Sequence, residues 1–222
     1  MFLPLRDENP TTRFPYVTVL VIGLNAAVFA VQAAAPHGLE LAALKFGAVP
    51  YEITHFRSLA AAVRVPPLLS LVTSLFMHGS VLHILGNMLY LWIFGNNIED
   101  VLGPLRFGFF YLAAGLAAAL TQVMAMPSSR TPMIGASGAI AGVLGAYMIL
   151  FPRARVKTLV FLFIYVTIIP VPAGLLLGFW FVMQLLSVGF GGGVAWFAHV
   201  GGFLAGIGMI LAVRRRRPLR AG

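Results

Sequence analysis

Apolar stretches of about 20 residues recur along this chain until they account for most of its 222 positions. Hydrocarbon offers no water to satisfy backbone N–H and C=O groups, so a spanning segment must be a helix or part of a closed barrel. Long, continuous apolar runs predict helices. Broken at charged or Pro/Gly-rich clusters, they fall at 16–34, 78–96, 106–126, 136–151, 172–189 and 196–213. With 60% hydrophobic and only 9% charged residues, and a mean hydropathy of +0.94, the chain reads as an all-α polytopic membrane protein with six transmembrane helices in one bundle. Residues 1–15 then form a cytoplasmic N-terminal segment, 16–213 the membrane domain and 214–222 a basic cytoplasmic tail.

The net charge of +9 does not point to nucleic acid, because the basic residues sit beside apolar segments, as in Arg153-Ala154-Arg155-Val156-Lys157 and Arg214 to Arg217. Membrane lipid is the partner that distribution suits. With both termini cytoplasmic, Arg6, Arg13, Arg106, Arg153, Arg155, Lys157, Arg214 to Arg217 and Arg220 fall inside, against Lys45, Arg57, Arg64 and Arg130 outside. Eleven of the fifteen basic residues favour this orientation, and a cell membrane, plasma or inner, is the expected location. Arg6, Arg13 and the apolar run from Tyr16 superficially resemble a secretory signal, but the run is long enough to span and is read as a retained first helix.

Two regions fit no span. Residues 35–77 mix Glu40, Lys45, Glu52, His55, Arg57 and Arg64 with apolar residues, which suits a partly structured element at the outer interface. Residues 153–189 are too long for one helix, and parity allows one crossing there. Pro172 suits a helix start, and the β-branched stretch Val156 to Ile169 predicts an extended or interfacial element.

Against this apolar background, polar side chains are costly and mark candidate sites. Ser137, in Gly135-Ala136-Ser137-Gly138, opens the fourth segment, and His199 lies near the start of the sixth. Both segments descend from the outer face, so the two side chains share a depth. A serine nucleophile needs a base within hydrogen-bond reach and donors for an oxyanion. His199 is the candidate base, and the backbone N–H of Ser137, at a helix N-terminus, is a candidate donor. His83 and Asn87, four apart on the second segment, share a helix face at the same depth and are candidate side-chain donors. No Asp or Glu follows Asp100, so a triad would have to borrow Glu40 or Glu52 from the outer loop; a Ser/His dyad is simpler. Cysteine is absent, excluding thiolate chemistry, and neither HExxH nor helical histidine pairing offers a metal site. Gly202 and Gly206, on the face of His199, and Gly138, Gly142 and Gly145 on the fourth segment would let the two helices approach closely.

Each feature also has a plainer reading. Small residues serve helix contacts, His83 and Asn87 can bridge helices, and His199 can be a buried hydrogen-bonding group. His78 would cap or sit at the interface, and His37 and His55 would be solvated loop residues. The four polar groups on three segments at one depth favour a site, and their confinement to one side disfavours a transporter.

Together these motifs resemble the rhomboid family of intramembrane serine proteases: His83-x-x-x-Asn87, Gly135-Ala136-Ser137-Gly138, and Ala198-His199-Val200-Gly201-Gly202 with Gly206, alongside Phe94-Gly95, Glu99-Asp100 and Gly103. The resemblance implies a six-helix rhomboid-like bundle, a Ser137/His199 dyad, and an oxyanion site from His83, Asn87 and the Ser137 N–H. Glycines 135, 138, 142, 202 and 206 would support the packing. It further implies cleavage of transmembrane protein substrates, with no cofactor and no metal. A non-catalytic relative that binds membrane clients is the alternative, though such a protein is expected to lose the serine or histidine. Many relatives carry an aromatic-arginine pair in the first loop that is not evident here, where Arg57 follows Phe56 and Arg64 follows Val63. Some carry an aromatic one turn after the serine, where this chain has Ala141; Tyr147, Trp196 and Phe197 are candidates to support the histidine instead.

Overall fold

The computed structural model describes residues 2–57, 65–162, 165–188 and 194–216; Arg64 and positions 217–222 of the basic tail lie outside the described residues. The chain is mostly helical. Strand β1 (Phe2–Asp7) precedes α1 (Tyr16–Ala34), then α2 (Gly38–Phe46), α3 (Pro50–His55) and α4 (Pro67–Thr73), which runs on through a 3-10 turn at Ser74–Phe76. There follow α5 (Val81–Leu102), α6 (Pro104–Ala125), α7 (Ser137–Leu150), strands β2 (Arg155–Leu162) and β3 (Tyr165–Pro172), α8 (Ala173–Ser187) and α9 (Trp196–Arg216).

Local chemistry sets the boundaries. Ser80 Oγ accepts the backbone N–H of His83 at 3.1 Å and caps α5, so this helix starts at Val81, not at 78. It ends at Gly103, whose φ of +78° suits glycine, and Pro104 opens α6. The N-terminus of α1 has no cap of its own; Glu99 of α5 accepts the N–H groups of Val17 and Thr18 and the Thr18 hydroxyl, each at 2.8 Å. Arg214 to Arg216 continue α9 instead of beginning a tail.

Helices α1, α6 and α9 are each long and apolar enough to cross a membrane, and the pair Pro67–Phe76 and Val81–Leu102, bent by 81°, makes a fourth candidate. The segments expected at 136–151 and 172–189 are helices of 14 and 15 residues, about 21 and 22 Å at 1.5 Å per residue. That is short of a ~30 Å hydrocarbon core. Length and composition therefore make three of the helices, or four with the bent pair, candidates to cross the membrane.

The expectation of an all-helical chain needs correction. The extended stretch after α7 is a β2–β3 hairpin, and β1 joins it to make an antiparallel sheet of order β1-β2-β3. Val156, Thr158 and Val160 point to its buried side. Sequence periodicity exposes β2 and β3, but β1 lies in a Pro-containing segment with a bulge between Pro4 and Arg6, which hides its alternation. Asp7 ends β1 and is buried: its Oδ2 accepts the Tyr147 hydroxyl of α7 at 2.7 Å and the Asn97 amide of α5 at 3.2 Å.

Helix α7 is the centre of the bundle, buried from Gly138 through Tyr147 and packed against α5, α6, α8 and α9. A Cβ on Gly202 would run into the Gly138 carbonyl oxygen, and one on Gly206 into that of Gly142. The backbones of α7 and α9 therefore touch where any larger residue would hold them apart. Helix α1 is built differently: its buried residues are the polar Thr18, Asn25 and Gln32, seven apart on one face, with Val17, Val21 and Ile22 partly buried against the core and Tyr16, Val19, Leu20, Leu24 and Val31 exposed.

Burial raises the Asp7 carboxyl above its ordinary range, partly offset by the Tyr147 hydroxyl. A folded-state value above the unfolded one favours folding at low pH and loses that contribution as pH rises through the folded value. Thermal unfolding in detergent should show wild type losing stability relative to Asp7→Asn as pH rises from ~4 towards neutrality. A pH-independent difference would contradict this.

Candidate active site

Ser137 is the first residue of α7, with Ala136 as its N-cap, and Ile140 N–H donates to the Ala136 carbonyl at 3.0 Å. The N–H groups of the first turn, that of Ser137 included, have no partner within the helix and point out of its end. His199 lies in the first turn of α9. Because α7 and α9 touch through glycines, the two side chains meet: Ser137 Oγ lies 2.8 Å from His199 Nε2. The other ring nitrogen, Nδ1, lies 2.8 Å from Gln184 Oε1 of α8.

His83 and Asn87 of α5 converge on the turn before Ser137. Gly135 has a φ of +118°, and a Cβ there would stand 2.7 Å from His83 Nε2 and 3.6 Å from Asn87 Nδ2. Gly135 is thus less a helix-packing residue than the one that makes room for these two polar groups. Its N–H donates to the Ser74 carbonyl at 2.9 Å, and Ala48 and Met133 exchange backbone bonds of 3.0 and 2.8 Å. The stretch between α1 and α5, folded as α2 to α4 and the 3-10 turn, therefore grips the segment that leads into Ser137.

His78 is fully buried, and Ser80, not His78, caps α5. Its Nε2 accepts from Asn87 Nδ2 at 3.0 Å, leaving the second amide proton of Asn87 for the site. Gln32 of α1 holds the backbone of His78 from both sides, accepting its N–H at 3.2 Å and donating to its carbonyl at 3.4 Å. On α6, buried Gln122 accepts the Ala198 N–H at 3.2 Å and steadies the start of α9.

These groups line one cavity of about 1070 Å³, whose walls include His83, Asn87, Ser137, Trp180, Gln184 and His199. Indole rings flank the imidazole: Trp196 edge-on at 6.1 Å and Trp180 tilted at 5.9 Å. Tyr147 takes no part, being spent on Asp7 at the other end of α7. Sequence reasoning passes over Gln184, Trp180, Gln122 and the burial of His78. The signal for Gln184 is nonetheless present, since it is the single polar side chain between Ala173 and Leu186.

Chemically, the arrangement offers a hydroxyl bonded to an imidazole, with polar side chains clustered beside the hydroxyl in a mostly apolar cavity. That is the constellation of nucleophilic acyl transfer. The rhomboid domain family model matches residues 66–216. Rhomboid protein 1, mitochondrial, of Saccharomyces cerevisiae is 33% identical over 146 residues, 63% of this chain and 40% of that protein. RHOMBOID-like protein 5 of Arabidopsis thaliana is 33% identical over 146 residues, 65% of this chain and 44% of that protein. The presenilin-associated rhomboid-like protein, mitochondrial, of Mus musculus is 32% identical over 164 residues, 67% and 40% of the respective chains. The chain thus matches less than half the length of each of these relatives.

Gly135→Ala should strain the backbone and push the His83 ring aside, lowering stability by roughly 1–3 kcal/mol. Thermal unfolding in detergent measures this, and an unchanged midpoint would show that the turn has room for a side chain.

Proposed function

Since the chain belongs to the rhomboid family, we propose that it is an intramembrane serine endopeptidase that hydrolyses peptide bonds in or near the transmembrane segments of membrane-anchored proteins. The observation that carries this reading is the 2.8 Å bond between Ser137 Oγ and His199 Nε2 inside a cavity otherwise walled largely by apolar groups.

His199 Nε2 takes the Ser137 proton as Oγ bonds to the scissile carbonyl carbon. The carbonyl oxygen becomes an oxyanion, met by the Ser137 N–H, His83 and Asn87. The C–N bond then breaks, the imidazolium returns its proton to the leaving amine, and an acyl-enzyme remains. Water gives a proton to Nε2 and adds to the acyl carbon as hydroxide, and collapse releases the acid with the proton restored to Ser137. A helical substrate hides its carbonyls in hydrogen bonds, so its segment must unwind before attack.

The bundle in this reading crosses the membrane six times, α7 and α8 being short because they end in the interface or line the cavity instead of spanning neat hydrocarbon. Both termini are cytoplasmic in a plasma or inner membrane, an orientation supported by the eleven of fifteen basic residues counted to that side. The sheet and the basic residues around it lie inside, and the cavity opens toward the outer face.

Purified protein mixed with a helical membrane-anchored substrate in detergent should cleave it, and Ser137→Ala and His199→Ala should each lower cleavage by at least ~10³-fold. Undiminished cleavage by Ser137→Ala would overturn the reading, as would a wild-type protein that only binds such substrates.

A further inference from the structure

We propose that Gln184 is the positioning residue of the dyad, fixing the imidazole tautomer of His199 through its side-chain oxygen, the place a carboxylate holds in a triad; this rests on the protease reading above. The sequence offers no Asp or Glu beyond Asp100, so no carboxylate from the helices that carry Ser137 and His199, or from α8, can do this work.

The amide has one orientation that satisfies both of its ends. Its Nε2 lies 3.3 Å from the Trp180 carbonyl one turn back along α8, and a carbonyl only accepts, so the amino group must face Trp180. The oxygen is thereby turned to His199, 2.8 Å from Nδ1. An amide oxygen also only accepts, so Nδ1 must carry the proton. The lone pair of the neutral ring is then on Nε2, 2.8 Å from Ser137 Oγ, where a general base needs it. Reversing the tautomer would leave two acceptors face to face at Nδ1 and a donor aimed at the hydroxyl that must lose its proton.

The packing of α8 points the same way. Its buried residues are Ala173, Leu176, Leu177 and Gln184. The first three lie in its opening turns, whereas Phe179, Val182, Leu185 and Leu186 are exposed. In its second half Gln184 is the buried residue among those described, flanked by Trp180 and Phe181, which are partly buried and pack on Phe203 of α9. Helix α8 must be seated for the dyad to be poised. The titratable groups that face the imidazole from the other walls of the cavity are His83 and Tyr90 of α5 and the Ser137 hydroxyl of α7; α6 presents Gln122, which does not titrate.

The test is cleavage kinetics across pH for wild type, Gln184→Met and Gln184→Glu, each with its thermal midpoint. Methionine keeps the volume and removes the acceptor, so kcat should fall roughly 10- to 100-fold with KM little changed and the midpoint near wild type. Glutamate restores an acceptor and adds a negative charge that favours the imidazolium. It should recover kcat above the methionine variant and move the acid limb of kcat/KM to higher pH by about one unit. A role in packing alone predicts neither the recovery nor the shift. Full activity in Gln184→Met, or loss in both variants with an unshifted profile, overturns the proposal. A wild-type protein with no cleavage would instead overturn the protease reading itself.

Discussion

Backbone contact between α7 and α9 is the constraint on which the rest of the molecule depends. Gly202 faces the Gly138 carbonyl and Gly206 faces that of Gly142, so the helices approach to a distance no other residue permits. In lipid the hydrophobic effect does not press helices together, and close van der Waals contact through small residues takes its place. That contact places Ser137 at the start of one helix opposite His199 at the start of the other. The 2.8 Å bond between them is a consequence of glycine spacing, fixed well away from the polar atoms themselves.

Polar groups, turned inward, organise the remaining helices. Helix α1 buries Thr18, Asn25 and Gln32, and each bonds a backbone or side-chain group: Thr18 with Glu99, Asn25 with the Val21 carbonyl, Gln32 with the backbone of His78. The Gln32 contact holds His78, His78 holds the amide of Asn87, and Asn87 reaches the turn at Gly135. A chain of hydrogen bonds thus runs from the lipid-facing first helix to the edge of the cavity. At the opposite end, Asp7 ties the N-terminal strand to α5 and α7. Unmet polar groups are expensive in hydrocarbon, and each of these contacts meets one.

Much of this is legible in the sequence, because hydrocarbon makes every polar residue conspicuous. Apolar run length finds the helices α1 and α5 to α9 but not the short α2 to α4, and Ser137, His199, His83 and Asn87 stand out within the helices it finds. Crossing number is less legible: α7 and α8 nearly fill their apolar runs at 136–151 and 172–189, but at 14 and 15 residues they are too short for length alone to mark them as crossings. The sheet is half legible, β2 and β3 through their β-branched residues, while β1 depends on pairing with a segment about 150 positions away. Gln184 passes the same test as Ser137 but belongs to no motif, and its meaning appears only when α8 is placed beside α9. His78 looks like an interfacial residue because its partners, Gln32 and Asn87, come from different helices.

Covalent labelling probes the centre of this account most directly, without need of the physiological substrate. A serine-reactive fluorophosphonate is incubated with the full chain in detergent, and the adduct is located by peptide mass spectrometry. A single adduct on Ser137 is expected, lost in His199→Ala, because only a serine activated by that imidazole is nucleophilic in this cavity. An adduct on Ser137 that persists without His199, or one on a different serine, would contradict it.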